Sequence, residues 1–343
     1  MAIEKMSVAR DDSLYECFPC LCRTTAGKLI TVYRESDGHS AYEFTDLVMR
    51  HSTDDGQTWS DKQVLIRSRR EGDALMKYNC PRIQQLDDGR LCVLCDVFQQ
   101  PPGEGSARDS RIMWWLSSDE GVSYSGPVDS GVRGIMPDKI LQTSRGTWLI
   151  ATHWRGEDGF LIQYVWRSED RGETWGGPIV VCEQDGLNPC EASIIELPDG
   201  ALVCYMRENS GTGLCGPKCL SFDDGQTWEG PYDTLMAGCH RPVSGYLPGG
   251  QIMVTYRNVP GGKSPWAKNF FAYKESVESA RATQTGEQSG IILPLDHDRS
   301  PHSDSGYSGW VCLPDDSTYV VNYICDDAPM AQIRAYRFTE ADF

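Results

Sequence analysis

Ser52-Thr53-Asp54-Asp55-Gly56-Gln57-Thr58-Trp59 is written, with variations, four times in this chain of 343 residues. It returns as Ser117-Ser118-Asp119-Glu120-Gly121-Val122-Ser123-Tyr124, as Ser168-Glu169-Asp170-Arg171-Gly172-Glu173-Thr174-Trp175 and as Ser221-Phe222-Asp223-Asp224-Gly225-Gln226-Thr227-Trp228. The shared pattern is Ser-x-Asp-x-Gly-x-Thr/Ser-aromatic. Ser and Asp can cap local backbone N–H groups, and Gly supplies a positive φ, so each copy reads as a tight turn. Strand-like text such as Leu47-Val48-Met49 leads in, and the closing aromatic is placed to pack under a hairpin. These boxes describe architecture and not chemistry.

A second repeat counts the units. Six times a short turn runs into an apolar strand, at Gly27, Gly89, Gly146, Gly200, Gly250 and Asp316. These anchors are 62, 57, 54, 50 and 66 residues apart, and where a box follows, its Ser comes 21 to 28 residues later. Periods near 50 residues with about four short strands each predict an all-β, six-bladed β-propeller. Blades five and six lack a clean box, and Gly261-Gly262-Lys263-Ser264-Pro265 and residues 274–289 read as insertions there. Ring closure should pair Met6 to Ala9 with the segment from Ile333 to Phe338. No linker divides the chain, so residues 1–343 are expected to form a single domain.

Composition narrows the function classes. A net charge of −17 argues against a nucleic-acid or anionic-membrane surface. No run of about 20 apolar residues exists, so no membrane span is expected. Met1-Ala2-Ile3-Glu4-Lys5 lacks the apolar core of a signal peptide, which points to a reduced, cytoplasmic protein. Among fourteen cysteines, Cys17/Cys20 and Cys92/Cys95 have C-x-x-C spacing. Both pairs lie in strand-like text, where residues three apart face opposite sides of a sheet, so neither metal nor cofactor is expected. The sequence leaves oligomeric state open.

In such a propeller the strand before each anchor is innermost, and its beginning opens at the mouth of the channel. Counting nine residues back gives Phe18, Cys80, Pro137, Glu191, Arg241 and Tyr307, with Asn79, Arg82, Asp138, Lys139, His240 and Asp304 beside them. Polar groups converging on one mouth mark a ligand site. His153, His297 and His302 stand alone in the sequence and acquire no role.

The chain resembles the sialidase (neuraminidase) superfamily of Asp-box propellers over nearly its whole length. Asn188 to Gly200, ending in Tyr205-Met206-Arg207, resembles the blade that carries a catalytic Glu and a substrate-binding Arg, here Glu191 and Arg207. Ser305-Gly306-Tyr307-Ser308 resembles the segment of the Tyr nucleophile. Val32 to His39 resembles the loop with a pocket Arg, here Arg34, and the acid/base Asp, here Asp37, with His39 as the alternative. One departure matters: the family opens blade one with Phe-Arg-Ile-Pro, and Cys17 in Glu16-Cys17-Phe18-Pro19 stands where that Arg would be. Arg257 or Lys268 could stand for a third site cation, and Arg82 and Arg241 could bring guanidinium groups from other blades.

The resemblance implies a retaining hydrolysis of a terminal, anionic sugar, with Tyr307 as nucleophile, Glu191 taking its proton and Asp37 serving the leaving oxygen. It implies a carbohydrate partner, with Arg34, His39, Arg82, Asp138, Arg207, Arg241, Arg257 and Asp304 around it. The alternatives are a glycosidase or polysaccharide lyase for another sugar, and a non-catalytic carbohydrate-binding propeller.

Overall fold

The computed structural model describes residues 3–41, 43–100, 108–262 and 267–343. Its architecture is an all-β, six-bladed β-propeller of antiparallel sheets. After β1 (Glu4–Ala9), sheet one takes β2 (Tyr15–Arg23), β3 (Leu29–Ser36), β4 (Thr45–Ser52) and β5 (Gln63–Ile66). Sheet two takes β6 (Arg69–Glu71), β7 (Ala74–Tyr78), β8 (Arg82–Gln85), β9 (Leu91–Gln100), β10 (Arg108–Ser117) and β11 (Ser125–Arg133). Sheet three holds β12 (Leu141–Gln142), β13 (Trp148–Arg155), β14 (Leu161–Ser168) and β15 (Gly176–Cys182). Sheet four holds β16 (Pro189–Glu196), β17 (Leu202–Glu208), β18 (Cys215–Ser221) and β19 (Glu229–Ala237). Sheet five holds β20 (Cys239–Tyr246), β21 (Ile252–Asn258), β22 (Asn269–Glu275) and β23 (Gly290–His297). Sheet six holds β24 (Ser305–Cys312), β25 (Thr318–Ile324) and β26 (Gln332–Phe338), and β1 completes it by pairing Glu4 with Arg337 and Met6 with Ala335. That is the closure the sequence predicts.

The contacts gather into two compact units: Met1–Lys139 with Tyr307–Phe338, and Ile140–Gly306 with Thr339–Phe343. The first contains sheets one and two and, from Tyr307 onward, sheet six. Its apolar clusters centre on Leu21, Tyr33, Val321 and Ile333, and on Val32, Ile83, Val93 and Trp115. The second contains sheets three, four and five, with clusters around Val203, Ile252 and Val254, and around Ala151, Val165 and Leu202. Alternation along each strand sends these residues inward, and many of the cysteines, such as Cys20, Cys95, Cys204 and Cys219, fill the same layers as small apolar groups.

Sheet two departs from four strands. Its first strand is split into β7 and β8, both paired to β9, around Asn79-Cys80-Pro81. Pro81 has no N–H to give a ladder, so the strand yields there. A tight turn at Gly72 (φ 63) adds β6 as a further hairpin strand. Of the insertions expected in blade five, Lys263, Ser264 and Pro265 lie outside the described residues. Residues 274–289 carry the short helix α1 (Val277–Arg281), capped by the Ser276 side chain. No helix among the described residues is long and apolar enough to cross a membrane.

Each box joins the last two strands of its sheet. Ser52 Oγ accepts the Gly56 N–H at 2.9 Å and donates to Asp54 Oδ1 at 2.7 Å, while Thr58 donates its N–H and its hydroxyl to Asp54 at 2.9 and 2.6 Å. The other three boxes repeat the arrangement. The glycine has a second duty that its φ does not reveal. A Cβ on Gly56 would lie 2.3 Å from the Tyr319 ring on β25, one on Gly121 3.0 Å from Ile30 on β3, and one on Gly225 3.1 Å from Leu149 on β13. These three boxes are therefore pressed against the second strand of the preceding sheet. Trp59 and Tyr319 complete one such seam with a 3.3 Å hydrogen bond.

Gly56→Ala should lower the free energy of unfolding by about 2–4 kcal/mol, combining left-handed backbone strain with overpacking against Tyr319. Gly250→Ala, at φ +80 with nothing within 4 Å of the added carbon, should show only the backbone share. Equal losses in urea titrations would show that the seam adds nothing. The boxes also give an acid signature. Donation from the Thr or Ser hydroxyl, then from its N–H, brings Asp54, Asp119 and Asp170 down to about 2. These folded values lie below the ordinary 3.8, so the stabilisation is complete above about pH 4 and is lost as pH falls through about 2. The triple variant Asp54→Asn, Asp119→Asn, Asp170→Asn should show a flatter loss of stability between those limits, and an unchanged slope would refute the assignment.

Candidate functional site

The positions nine residues before the anchors are where the first strands leave the pleat. Phe18, Glu191 and Arg241 have φ of 57, 50 and 51, left-handed values that side-chain-bearing residues adopt at a cost of about 1 kcal/mol or more. Each sits at a break in register: between Cys17 and Cys20 on β2, Cys190 and Ser193 on β16, and His240 and Val243 on β20. Such a bulge leaves one residue out of the ladder and re-aims its side chain. Before Pro137 and Tyr307 the left-handed residue comes one place earlier, at Met136 (φ 53) and Gly306 (φ 104).

In the second unit these bulges build a cationic cluster around one carboxylate. Glu191 is buried, and its Oε1 accepts from Arg207 NH1 at 2.8 Å; Arg207 NH2 also donates to Asn209 at 2.6 Å. Burial pushes the Glu191 carboxyl up, but Arg207, His153, Arg257 and Arg241 outweigh it and hold the group well below the carboxylate range. The Glu191 N–H donates to His153 Nδ1 at 3.2 Å. Burial, and then the nearby Arg207 and Arg257, depress His240 to about 2, so it stays neutral. Arg257 NH1 and Lys268 Nζ reach the same Asp304 oxygen at 3.3 and 2.9 Å, and Asp304 in turn donates its N–H to Asp298 at 2.9 Å. Both candidates for a third site cation thus meet on one carboxylate. Gly306 makes this possible, since a Cβ there would fall 2.2 Å from Cβ of Arg257.

In the first unit the residues gather around Phe18. Its ring lies 4.9 Å from Tyr307, 5.3 Å from Tyr323 and 5.4 Å from His39, and the Arg34 guanidinium stacks over it at 4.4 Å. Arg34 is fully buried and pairs across the ladder with Cys17. Its NH2 donates to the carbonyls of Gly38 and His39 at 3.2 and 2.6 Å, and its NH1 to Asn79 Oδ1 at 3.1 Å. Lys77, from β7, donates to the next two carbonyls, Ser40 and Ala41. Two buried cations therefore grip four consecutive carbonyls of the loop that carries Asp37 and His39. Burial and the neighbouring Arg34 bring the Lys77 amine down to about 8. Asn79 is fixed in turn by Asp96, 2.9 Å from its Nδ2.

Asp37 is half-buried and accepts the Glu43 N–H at 3.2 Å; His39 is exposed. The Tyr307 hydroxyl lies 3.8 Å from the Met136 sulfur. Arg82 donates to the Ser308 carbonyl at 2.9 Å and has its Nε 3.9 Å from Asp138 Oδ1. The resemblance assigns Arg34 to the substrate, whereas the contacts give its terminal nitrogens to the protein's own loop and to Asn79. His153, Lys77 and Asp96 were not singled out from the sequence as site residues. They sit mid-strand or at a strand end in unremarkable text, and only the spacing of Lys77 to Asn79, alternate residues sharing a face, could have linked one of them to the site.

Residues 27–257 match the model of the BNR repeat-like domain, and the chain belongs to that family. Its propeller resembles sialidase-superfamily folds. A protein of unknown function from Dyadobacter fermentans has a TM-score of 0.79 at 19% identity, covering 98% of each chain. The intramolecular trans-sialidase of Ruminococcus gnavus, solved with oseltamivir carboxylate, has a TM-score of 0.65 at 14% identity, covering 96% of this chain and 95% of that one. At such identities the likeness establishes the fold. A curated sialidase from Paraclostridium sordellii is 26% identical over 222 residues, 58% of this chain and 53% of the relative, so the chain spans about half the length of that relative.

Arg34→Met should raise amide hydrogen exchange at residues 39–41 by at least about tenfold, as expected for losing charge-assisted hydrogen bonds that hold a loop. Arg34→Lys should not restore protection, because one ammonium cannot replace the planar fork. Unchanged exchange in the methionine variant would remove Arg34 from this role.

Proposed function

We propose that the protein is a sialidase-like exo-glycosidase that cleaves a terminal, anionic sugar with retention of configuration. The observation that carries this reading is the buried Glu191 carboxylate on its left-handed bulge, bonded to Arg207 with Arg241 and Arg257 close by. A cluster of cations in a chain of net charge −17 has an anion as its natural ligand. In this reading Arg207, Arg241 and Arg257 receive the sugar's carboxylate, while Arg82, Asp138, His39 and Asp304 line the remainder.

The chemistry takes two displacements. The Tyr307 oxygen attacks the anomeric carbon as its proton passes to Glu191, and the bond to the leaving oxygen breaks as Asp37 protonates that oxygen. Asp37 then takes a proton from water, whose oxygen joins the anomeric carbon while the bond to Tyr307 breaks and Glu191 returns the phenolic proton. A carboxylate held as low as Glu191 is a weak base until something competes for its cations. A substrate carboxylate arriving at Arg207 does so, and it raises the basicity of Glu191 only when substrate is present. His39 is the alternative acid/base.

A second reading rests on Cys17. With a thiol opposite Arg34, and that guanidinium engaged with the loop, a bidentate grip from sheet one is missing from the family pattern. This favours another acidic sugar, cleaved by a glycosidase or a polysaccharide lyase, or a non-catalytic carbohydrate-binding propeller.

Nitrophenyl glycosides and methylumbelliferyl sialosides, assayed with the wild type and with Tyr307→Phe and Glu191→Gln, separate these readings. Each variant should lower kcat by about 10²–10⁴-fold with an unchanged circular dichroism spectrum. Arg207→Lys should raise KM at least about tenfold. An inverted product, or full turnover by Tyr307→Phe, would exclude the retaining mechanism, and binding of acidic sugars without turnover would select the binder.

A further inference from the structure

The bulge that aims Glu191 leaves its own N–H outside the ladder. On β16 and β17 the register passes from Cys190 opposite Arg207 to Ser193 opposite Tyr205, so Glu191 and Ala192 together face the single residue Met206. A buried N–H without an acceptor costs about 1–3 kcal/mol. The acceptor comes from the neighbouring sheet: His153 on β13, 3% exposed, presents Nδ1 at 3.2 Å. A ring nitrogen accepts only when it carries no proton, which fixes the neutral tautomer with hydrogen on Nε2.

We propose that His153 is the positioning residue for Glu191: its unprotonated Nδ1 holds the left-handed turn that sends the Glu191 carboxylate to Arg207. The proposal rests on the reading of Glu191 as the base for Tyr307. It assigns work to a side chain that never touches the reacting atoms. The groups around the ring fit the neutral form. Burial lowers His153 to about 4; Glu191 works against this, and Arg207, Arg241 and Arg155 reinforce it. Because the folded value lies below the ordinary 6.5, the neutral ring's contribution is complete above about pH 6.5 and disappears as pH falls through about 4. Below that point a ring N–H faces the Glu191 N–H, donor against donor.

Two substitutions separate positioning from bulk. Asn places an acceptor oxygen near where Nδ1 stands, and Leu fills similar space with no acceptor. His153→Leu should lower kcat by about tenfold or more with a smaller change in KM, as expected when a base is misaimed, and His153→Asn should restore kcat to within about threefold of wild type. In the wild type, long-range nitrogen–proton correlation spectra of the histidine rings should show His153 as the Nε2–H tautomer, without titration near 6.5. A His153 ring protonated at Nδ1 at neutral pH would overturn the proposal whatever the assays show. So would wild-type kcat in His153→Leu when Glu191→Gln is inactive. Full activity of Glu191→Gln would instead sink the reading of Glu191 as the base, while the tautomer still decides whether His153 holds the bulge. If His153→Leu does not fold, the asparagine variant and the spectra decide.

Discussion

A pleated strand can offer its side chains to either face but cannot aim one past its own end without breaking the pleat. The candidate site depends on that break. Phe18, Glu191 and Arg241 take left-handed backbone where a side-chain-bearing residue is strained, and each does so at a bulge in the first strand of its sheet. In sheet six a glycine, Gly306, takes the turn, and there the reason is space as well as φ, because Arg257 occupies the volume a Cβ would need. The strain is offset by what the turned side chains gain. Phe18 receives the Arg34 guanidinium on its face, and Glu191 receives Arg207.

Two buried charge clusters show the same competition settled in different ways. Desolvation of a single ion costs several kcal/mol, so a buried carboxylate stays charged only if cations stand close and well oriented. Glu191 has Arg207 at 2.8 Å and further arginines beyond it, and the cations prevail. Arg34 and Lys77 meet the opposite need: cations taken out of water and satisfied mainly by backbone carbonyls of residues 38–41. Burial and the like charge of Arg34 draw the Lys77 amine down, whereas the opposite charges around Glu191 keep its carboxylate ionised.

Much of this was legible in the sequence, for reasons that can be named. The Ser, Asp, Gly and Thr of each box announce their hydrogen bonds, because those side chains bond to backbone only a few residues away. The distance from an anchor turn to the left-handed residue before it varies by only one residue among five of the sheets. Counting nine residues back therefore landed on the left-handed residue at Phe18, Glu191 and Arg241, and one place beyond it at Pro137 and Tyr307. What could not be read is whatever depends on a neighbouring sheet. That Gly56 lies against Tyr319, that His153 serves the backbone of Glu191, and that Arg34 with Lys77 closes on one loop are pairings between distant positions. Each residue type has an innocent local reading. Sheet two escaped the four-strand pattern because Pro81 splits its first strand, a rule that was visible but outweighed by the regular spacing elsewhere.

The protein lowers carboxylate pKa values by two routes, and the difference bears on what each group can do. The box aspartates are half-buried or exposed, and held by a hydroxyl and an N–H a few residues away. Those donors belong to the turn itself, so nothing arriving from solution can take them without unfolding it. Glu191 is held by guanidinium groups, whose charge is shared with whatever anion comes near. If His153 anchors the left-handed turn as proposed, a ligand that claimed part of Arg207 would change the proton affinity of Glu191 while the hydrogen bond that holds the turn stays in place. Position and charge state of the one carboxylate are thus governed by different partners, and only the second is open to a ligand.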